Sequence, residues 1–363
     1  MFVEITGSNG HTGLAEIAGP NGAAEISVLV AGYAEQLRLS PPENEADVIT
    51  KLELTERLLA SDRPRATAVS ALRTAIADAQ AREAGLSLTE FLGGESTEFV
   101  QLYGNINRSM LPDNNGPRNR SPEAFAAAAL KSIKNGYKVV KCAPFDEARA
   151  PFEEPGLPEA ARSGIDRILA VREAIGPEIP LLVDCHSRFD LDSGIALEIS
   201  LRESNVAWYE EAVDGIKDPE TMKKIRERAR MDVAGAEAGY GVELFRRIIE
   251  DGVMDVVMPD VKFCGGAGEA VKIGRTLELI APGSVSMHSP SGPASQLASA
   301  HVTAAFSGTR PLEHAWGEVD WRATVLEPAE QIESGQIYIP KGPGLGARLD
   351  RSTVEKRGNR WTL

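Results

Sequence analysis

From Phe99 onward, short β-type runs give way to amphipathic helical stretches, and the alternation occurs eight times. The runs are Val100 to Asn105, Lys138 to Ala143, Pro180 to Cys185, Val206 to Glu210, Asp232 to Glu237, Met254 to Asp260, Ser284 to His288 and Pro311 to Trp316. Helix signals lie between them. Ser121-Pro122-Glu123 and Asp218-Pro219-Glu220 each offer an N-cap, a proline in the first turn and an early acid, and Asn135-Gly136 and Asp251-Gly252 supply stops. Met222, Ile225 and Ala229, and again Val242, Phe245 and Ile249, recur at the period of a helix buried on one face. Strict alternation of strand and helix requires parallel strands joined by right-handed crossovers, and eight such units close into a (β/α)-barrel.

Residues 1–98 break this rhythm. Phe2 to Ile5 and Leu14 to Ile17 read as short strands around the turn Ser8-Asn9-Gly10, and Ala66 to Ala84, alanine-rich without glycine or proline, reads as a helix. They predict an α+β capping domain over 1–98 and a barrel over 99–325. The irregular stretch 326–363 is expected to return to the cap. With 53 acidic against 39 basic residues, a formal charge of −14, the chain repels a polyanion, so no nucleic-acid partner is expected and a small anionic substrate needs a local positive centre. No run of about 18 apolar residues occurs, and the start lacks the basic and apolar regions of a signal peptide. A cytoplasmic protein without membrane contact is expected. Cys142, Cys185 and Cys264 are odd in number and lack metal-site spacing, which predicts reduced core thiols.

Residues at the C-terminal ends of barrel strands converge on one mouth, so a functional set should recur once per βα unit. Asp184, Glu210 and Glu237 end successive runs, 26 and 27 residues apart, and Asp260 and His288 follow at 23 and 28. Any one of these acids could merely cap the next helix. Three at successive strand ends would repel one another without a cation, and a hard, oxygen-rich site suits Mg²⁺.

Val-Asp-Cys-His at 183–186, Trp-Tyr-Glu-Glu at 208–211, Ala-Glu at 236–237, Met-Pro-Asp at 258–260 with Gly265-Gly266, and Met-His-Ser-Pro at 287–290 together resemble the enolase superfamily, mandelate racemase subgroup, over nearly the whole chain. The resemblance implies that Asp184, Glu210 and Glu237 ligate Mg²⁺, that Asp260 and His288 form a dyad, and that Glu313 touches the substrate or its enolate. It also selects Glu210 over Glu211, a choice that strand alternation leaves open. Lys141 matches the first lysine of the subgroup's Lys-x-Lys strand, but the second position is Ala143. Asp-Cys-His-Ser-Arg at 184–188 is similar to the Asp-x-His-x-Arg stretch of galactonate and mannonate dehydratases. The resemblance places Phe2 to Glu16 at the second strand pair of the family's capping domain, without the first strand and lid loop ahead of it. A homo-oligomer is implied.

These features predict a lyase that removes the proton α to a carboxylate and dehydrates a sugar acid to a 2-keto-3-deoxy sugar acid. His288 is expected as the base, oriented by Asp260, and His186 as the acid that protonates the departing hydroxyl. Lys141 would either contact the substrate and help the metal hold the developing charge, or form a rim ion pair with a carboxylate. Arg188 would bind a distal substrate oxygen or pair with Asp190. His314 follows Glu313 and is left between mouth and scaffold; His11 and His301 are unassigned. A racemase or epimerase acting on a hydroxy acid at the same site is the first alternative, and a metal-holding binding protein without turnover is the second.

Overall fold

In the computed structural model, residues 1–17, 22–110, 119–153, 155–319, 321–360 and 362 are described. Strands β1 (Phe2–Thr6) and β2 (Thr12–Glu16) form the predicted antiparallel hairpin, with Thr6 opposite Thr12. Its turn needs Gly10, at φ 85, a conformation open to a residue without a Cβ. The hairpin lies on the helix Arg63–Ala84, which starts at the N-cap Asp62 with a proline in its first turn and stops at Gly85. Contact is close because both surfaces are small: a Cβ on Gly13 would lie 1.8 Å from the Ala75 carbonyl oxygen.

Asp78, fully buried on that helix, ties three distant segments together. Its carboxylate accepts the Leu14 N–H at 2.8 Å and the Leu345 N–H at 2.7 Å, and pairs with Arg82 at 3.1 Å. Residues 344–351 thereby meet the N-terminal unit, with further contacts from Gly344 to Leu86 and Leu88 and from Arg351 to Glu4. Before it does so, the strand Gln336–Tyr338 pairs antiparallel with the start of the first barrel strand.

That barrel comprises β3 (Phe99–Asn105), β4 (Val140–Cys142), β5 (Leu181–Asp184), β6 (Val206–Glu210), β7 (Asp232–Gly235), β8 (Val256–Val257) and β9 (Leu312–Ala315). Neighbours from β3 to β8 pair in parallel, and β9 pairs in parallel with β3. The seventh stave, expected over Ser284 to His288, is reduced to one bridge, Val257 to Val285. Single hydrogen bonds carry it further, from the His288 N–H to the Pro259 carbonyl and from the Glu313 N–H to the Met287 carbonyl. Pro259 has no N–H to give, so the ladder cannot run through it, and β8 is likewise shorter than the expected Met254 to Asp260. Alternation along the strands sends Tyr103, Leu182, Trp208, Ala234, Val256 and Met258 into the barrel interior as a separate apolar cluster. The crossover helices cover the outside, and the starts at Ser121 and Asp218 are capped as expected.

His301 is a scaffold residue. Its Nδ1 accepts the Thr89 N–H at 3.2 Å, which leaves Nε2–H facing the Leu345 carbonyl at 3.3 Å, so one neutral tautomer joins a barrel helix, the end of the cap and the C-terminal segment. The three cysteines are free and buried.

Two tests follow from this packing. Gly13→Ala forces backbone apart and is expected to cost at least about 1–3 kcal/mol in a urea melt; an unchanged midpoint would mean that the hairpin does not lie on this helix. Burial lowers the His301 pKa from 6.5 to about 4. The unfolded chain then binds this proton first as the pH falls, so stability drops between about pH 6.5 and 4, by up to about 3 kcal/mol. His301→Gln should remove that part of the slope in melts taken across this window.

Candidate active site

At the mouth, parallel register sets Asp184 of β5 directly opposite Glu210 of β6. Both side chains turn inward onto Lys141 of β4. Its ammonium lies 3.2 Å from Asp184, 2.5 Å from Glu210 and 3.2 Å from Glu313 of β9, with all four side chains almost fully buried. The rim ion pair is thus present and is threefold. Burial works against the Lys141 ammonium, but Asp184, Glu210 and Glu313 outweigh it and hold its pKa well above the ordinary lysine value. One positive charge does not satisfy three negative ones. Burial and the Asp184 charge push the Glu210 carboxyl well above its usual range, whereas Lys141 and His186 overcome burial at Asp184 and pull it down. Trp208 Nε1 donates to the second Glu210 oxygen at 3.1 Å, and Asn105 Nδ2 donates to Glu313 at 2.7 Å.

Glu237 lies two residues beyond β7 and is turned the other way. Its carboxylate is 2.7 Å from His288 Nε2, while His288 Nδ1 is 2.7 Å from Asp260. The predicted dyad is therefore assembled, and Glu237 and Glu313, the latter at 3.8 Å, share the imidazole's other edge. Burial opposes a charged His288, but Glu237, Glu313 and Asp260 raise its pKa well above the usual value. Burial would also raise Asp260; the Lys262 ammonium 3.0 Å away and His288 bring it down to about 2 instead.

His186 stands four staves from His288 in a ring of eight, on the opposite rim. Its ring bridges Asp146 at 3.1 Å and Asp184 at 3.3 Å, and the side chain is 43% exposed. Arg188 makes no ion pair with Asp190, whose carboxylate instead caps the helix Leu191–Leu201. The buried Arg188 Nε has no hydrogen-bond partner among the described residues. His314 does not reach the mouth: next to the inward Glu313, it points outward and hydrogen-bonds the Tyr137 hydroxyl at 2.6 Å.

Sequence reasoning missed four polar residues here. Asn105 shares the inward parity of Tyr103 on β3, a signal that could have selected it, whereas Lys262 lies in the turn after Asp260, where alternation gives no mark. Asp146 lies in a loop with no periodic mark. Glu211 was passed over for Glu210, yet it is half-buried, and desolvation with the Glu237 and Asp184 charges raises its pKa to about 7.

Among the described residues, no three His, Cys, Asp or Glu side chains converge into a metal cage as they stand. Asp184 and Glu210 are drawn to Lys141, and Glu237 to His288. The donor chemistry nevertheless fits a hard divalent cation: oxygens only, from three consecutive staves, carrying more buried negative charge than Lys141 neutralises.

Parallel staves closing on β3 with an acid-rich mouth define an α/β-barrel of the enolase type. Residues 124–353 match the family described as Enolase C-terminal domain-like, and the chain belongs to that family. The fold is shared with a member of the enolase superfamily from Salmonella Typhimurium, at TM-score 0.83 and 22% identity over 98% of this chain and 94% of that one. It is shared equally with the 3,6-anhydro-D-galactonate cycloisomerase from Zobellia galactanivorans, at TM-score 0.80 and 22% identity over 99% and 94%. In sequence the chain is 26% identical to the D-gluconate/D-galactonate dehydratase of Picrophilus torridus, over 98% of this chain and 88% of the relative. It is 28% identical to the D-galactarolactone cycloisomerase of Agrobacterium fabrum, over 98% and 90%. A 26% match to the D-gluconate dehydratase of Thermoproteus tenax covers 80% of this chain but only 56% of that relative's length. No helix among the described residues is long and apolar enough to cross a membrane.

Removing Lys141 would strand three buried carboxylates. Lys141→Met is expected to lower stability by about 3–5 kcal/mol in metal-free buffer, the cost of breaking a buried ion pair. Urea melts check this; a loss below about 1 kcal/mol would show that the acids are not held by this ammonium.

Proposed function

We propose that the chain dehydrates a sugar acid to a 2-keto-3-deoxy sugar acid by removing the proton α to its carboxylate. The observation that carries this reading is the pair of histidines on opposite rims of the mouth, each bonded to its own carboxylate, with the Lys141 cluster between them. One side can take a proton while the other gives one. The dehydratases among the relatives support the reading, as does the family.

Asp260 engages His288 Nδ1 and orients the ring; the proton that Glu237 and Glu313 favour on the imidazole would be released once Glu237 turned from Nε2 to a bound cation, leaving Nε2 to accept the C2 proton of the substrate. The electron pair left on C2 moves into the carboxylate, where negative charge grows on two oxygens. Lys141 is the chain's own cation at that point. A divalent metal, Mg²⁺ in this reading, held by Asp184, Glu210 and Glu237, would supply the electrostatic stabilisation that a single ammonium cannot. The pair then returns to form the C2–C3 double bond as the C3 hydroxyl leaves. His186, exposed enough to meet the substrate, gives its proton to that hydroxyl, so water departs. The resulting enol ketonises at C2. Glu313, fixed by Asn105 and Lys141, lines the same floor. Arg188, with its unpartnered Nε, is the candidate for a distal substrate oxygen.

The test is a panel of aldonates and aldarates incubated with the protein and Mg²⁺ in D₂O, with products followed by mass spectrometry. Dehydration with formation of a 2-keto-3-deoxy acid is expected. His288→Asn and His186→Asn should each lower kcat by about 10²–10⁴-fold. Turnover surviving in both variants would overturn the assigned roles. Deuterium entering C2 without loss of water would make the protein a racemase or epimerase instead, and no exchange with any acid would leave a binding protein.

A further inference from the structure

Two consecutive acids end β6, and they do different work. Glu210 points into the barrel, onto Lys141 and Trp208. Glu211 leaves the strand at φ 42, in the left-handed region that side-chain-bearing residues avoid. Its neighbours share this strain: His186 is at φ 48, Ser187 at 55 and Ala236 at 69. Of the eight non-glycine residues with positive φ among the described residues, these four sit on the strand ends that carry Asp184, Glu210 and Glu237. Strain of this kind persists only where surrounding contacts over-determine the backbone.

Glu211 supplies those contacts. One carboxylate oxygen accepts the Ala236 N–H at 3.1 Å, and the other accepts the Ser187 hydroxyl at 3.3 Å. Its carbonyl takes the Ser187 N–H at 2.6 Å, and its own N–H donates to the Ala234 carbonyl at 3.0 Å. Between strands, Gly235 leaves room for the side chain, since a Cβ there would lie 2.7 Å from Glu211 Cγ. Ala236 immediately precedes Glu237, and Ser187 closes the turn that follows Asp184. A single side chain thus pins both outer strand ends to the middle one.

We propose that Glu211 is a positioning residue for the metal centre: it touches no reacting atom, but fixes the turns after Asp184 and before Glu237 so that these two acids and Glu210 can share one divalent cation. This rests on the metal reading given above. With both oxygens already engaged, Glu211 is not itself counted as a ligand.

The test measures Mn²⁺ binding, by the EPR signal of the free ion, on the full chain as wild type, Glu211→Ala and Glu211→Gln, with thermal midpoints of the metal-free proteins alongside. Wild type is expected to bind. Glu211→Ala should weaken Mn²⁺ affinity by about 10–100-fold, the usual cost of losing a group that orients ligands, while Glu211→Gln, whose amide oxygen still accepts the Ala236 N–H, should stay within about threefold of wild type. Affinity unchanged in the alanine variant overturns the proposal. So does a glutamine variant as weak as about tenfold below wild type, because charge rather than geometry would then matter, and this arm decides even if the alanine variant does not fold. A wild type that binds no Mn²⁺ removes the metal reading and this inference together, whereas binding that ignores Glu211 removes the inference alone.

Discussion

Asp184, Glu210 and Glu313, almost fully buried and brought within ion-pair distance of the Lys141 ammonium, are the interaction on which the rest of the site depends. Charges in a low-dielectric interior interact far more strongly than in water, and burying them without compensation is costly. The barrel tolerates this collection because its strand ends are spaced by their own hydrogen bonding, which places side chains of neighbouring staves about 5 Å apart whatever their charge. Local compensation follows. Lys141 answers the cluster on one side, His288 draws Glu237 to the other, and Lys262 steadies Asp260 behind it. The excess of negative charge is what makes a hard cation chemically reasonable there.

Much of this was legible in the sequence because barrel geometry has a period. Asp184, Glu210, Glu237, Asp260 and His288 each close a run one βα unit after the last, and in a closed barrel such run ends converge on one mouth. Helix boundaries at Ser121, Asp218, Asn135 and Asp251 followed from capping chemistry, which is local. What the period could not show is anything set by departures from it. The seventh stave was read as an ordinary strand, although Pro259 denies its neighbour a continuing ladder. His314 seemed able to face the mouth until alternation, fixed by Glu313, turned it outward. Glu211 was set aside for Glu210 because the positioning role proposed for it depends on a backbone conformation that residue type alone does not announce. Asp78 escaped because its partners, Leu14 and Leu345, are far away along the chain and near only in the folded state.

The cap and the barrel are joined by small, specific contacts. Glu16, at the end of β2, accepts the Ser295 N–H at 3.0 Å, at the start of the helix that follows His288. A carboxylate there meets the positive end of the helix dipole. Gly292 beside it has no space for a Cβ, since one would lie 2.0 Å from the Glu16 carboxylate. Lys262 bonds the Ser291 hydroxyl and Arg322 bonds the Ser291 carbonyl. The loop behind His288 is therefore gripped from the hairpin, from the sixth stave and from the segment after β9.

This grip changes what the thin seventh stave means. A full strand would inherit its position from main-chain pairing and would tolerate drift elsewhere. A stave reduced to one bridge takes its alignment from side chains contributed by opposite ends of the polypeptide. The mouth is consequently not a module that could be transplanted to another barrel by copying its strand ends: a graft lacking Glu16, Lys262 and Arg322 would carry His288 on a loose mounting.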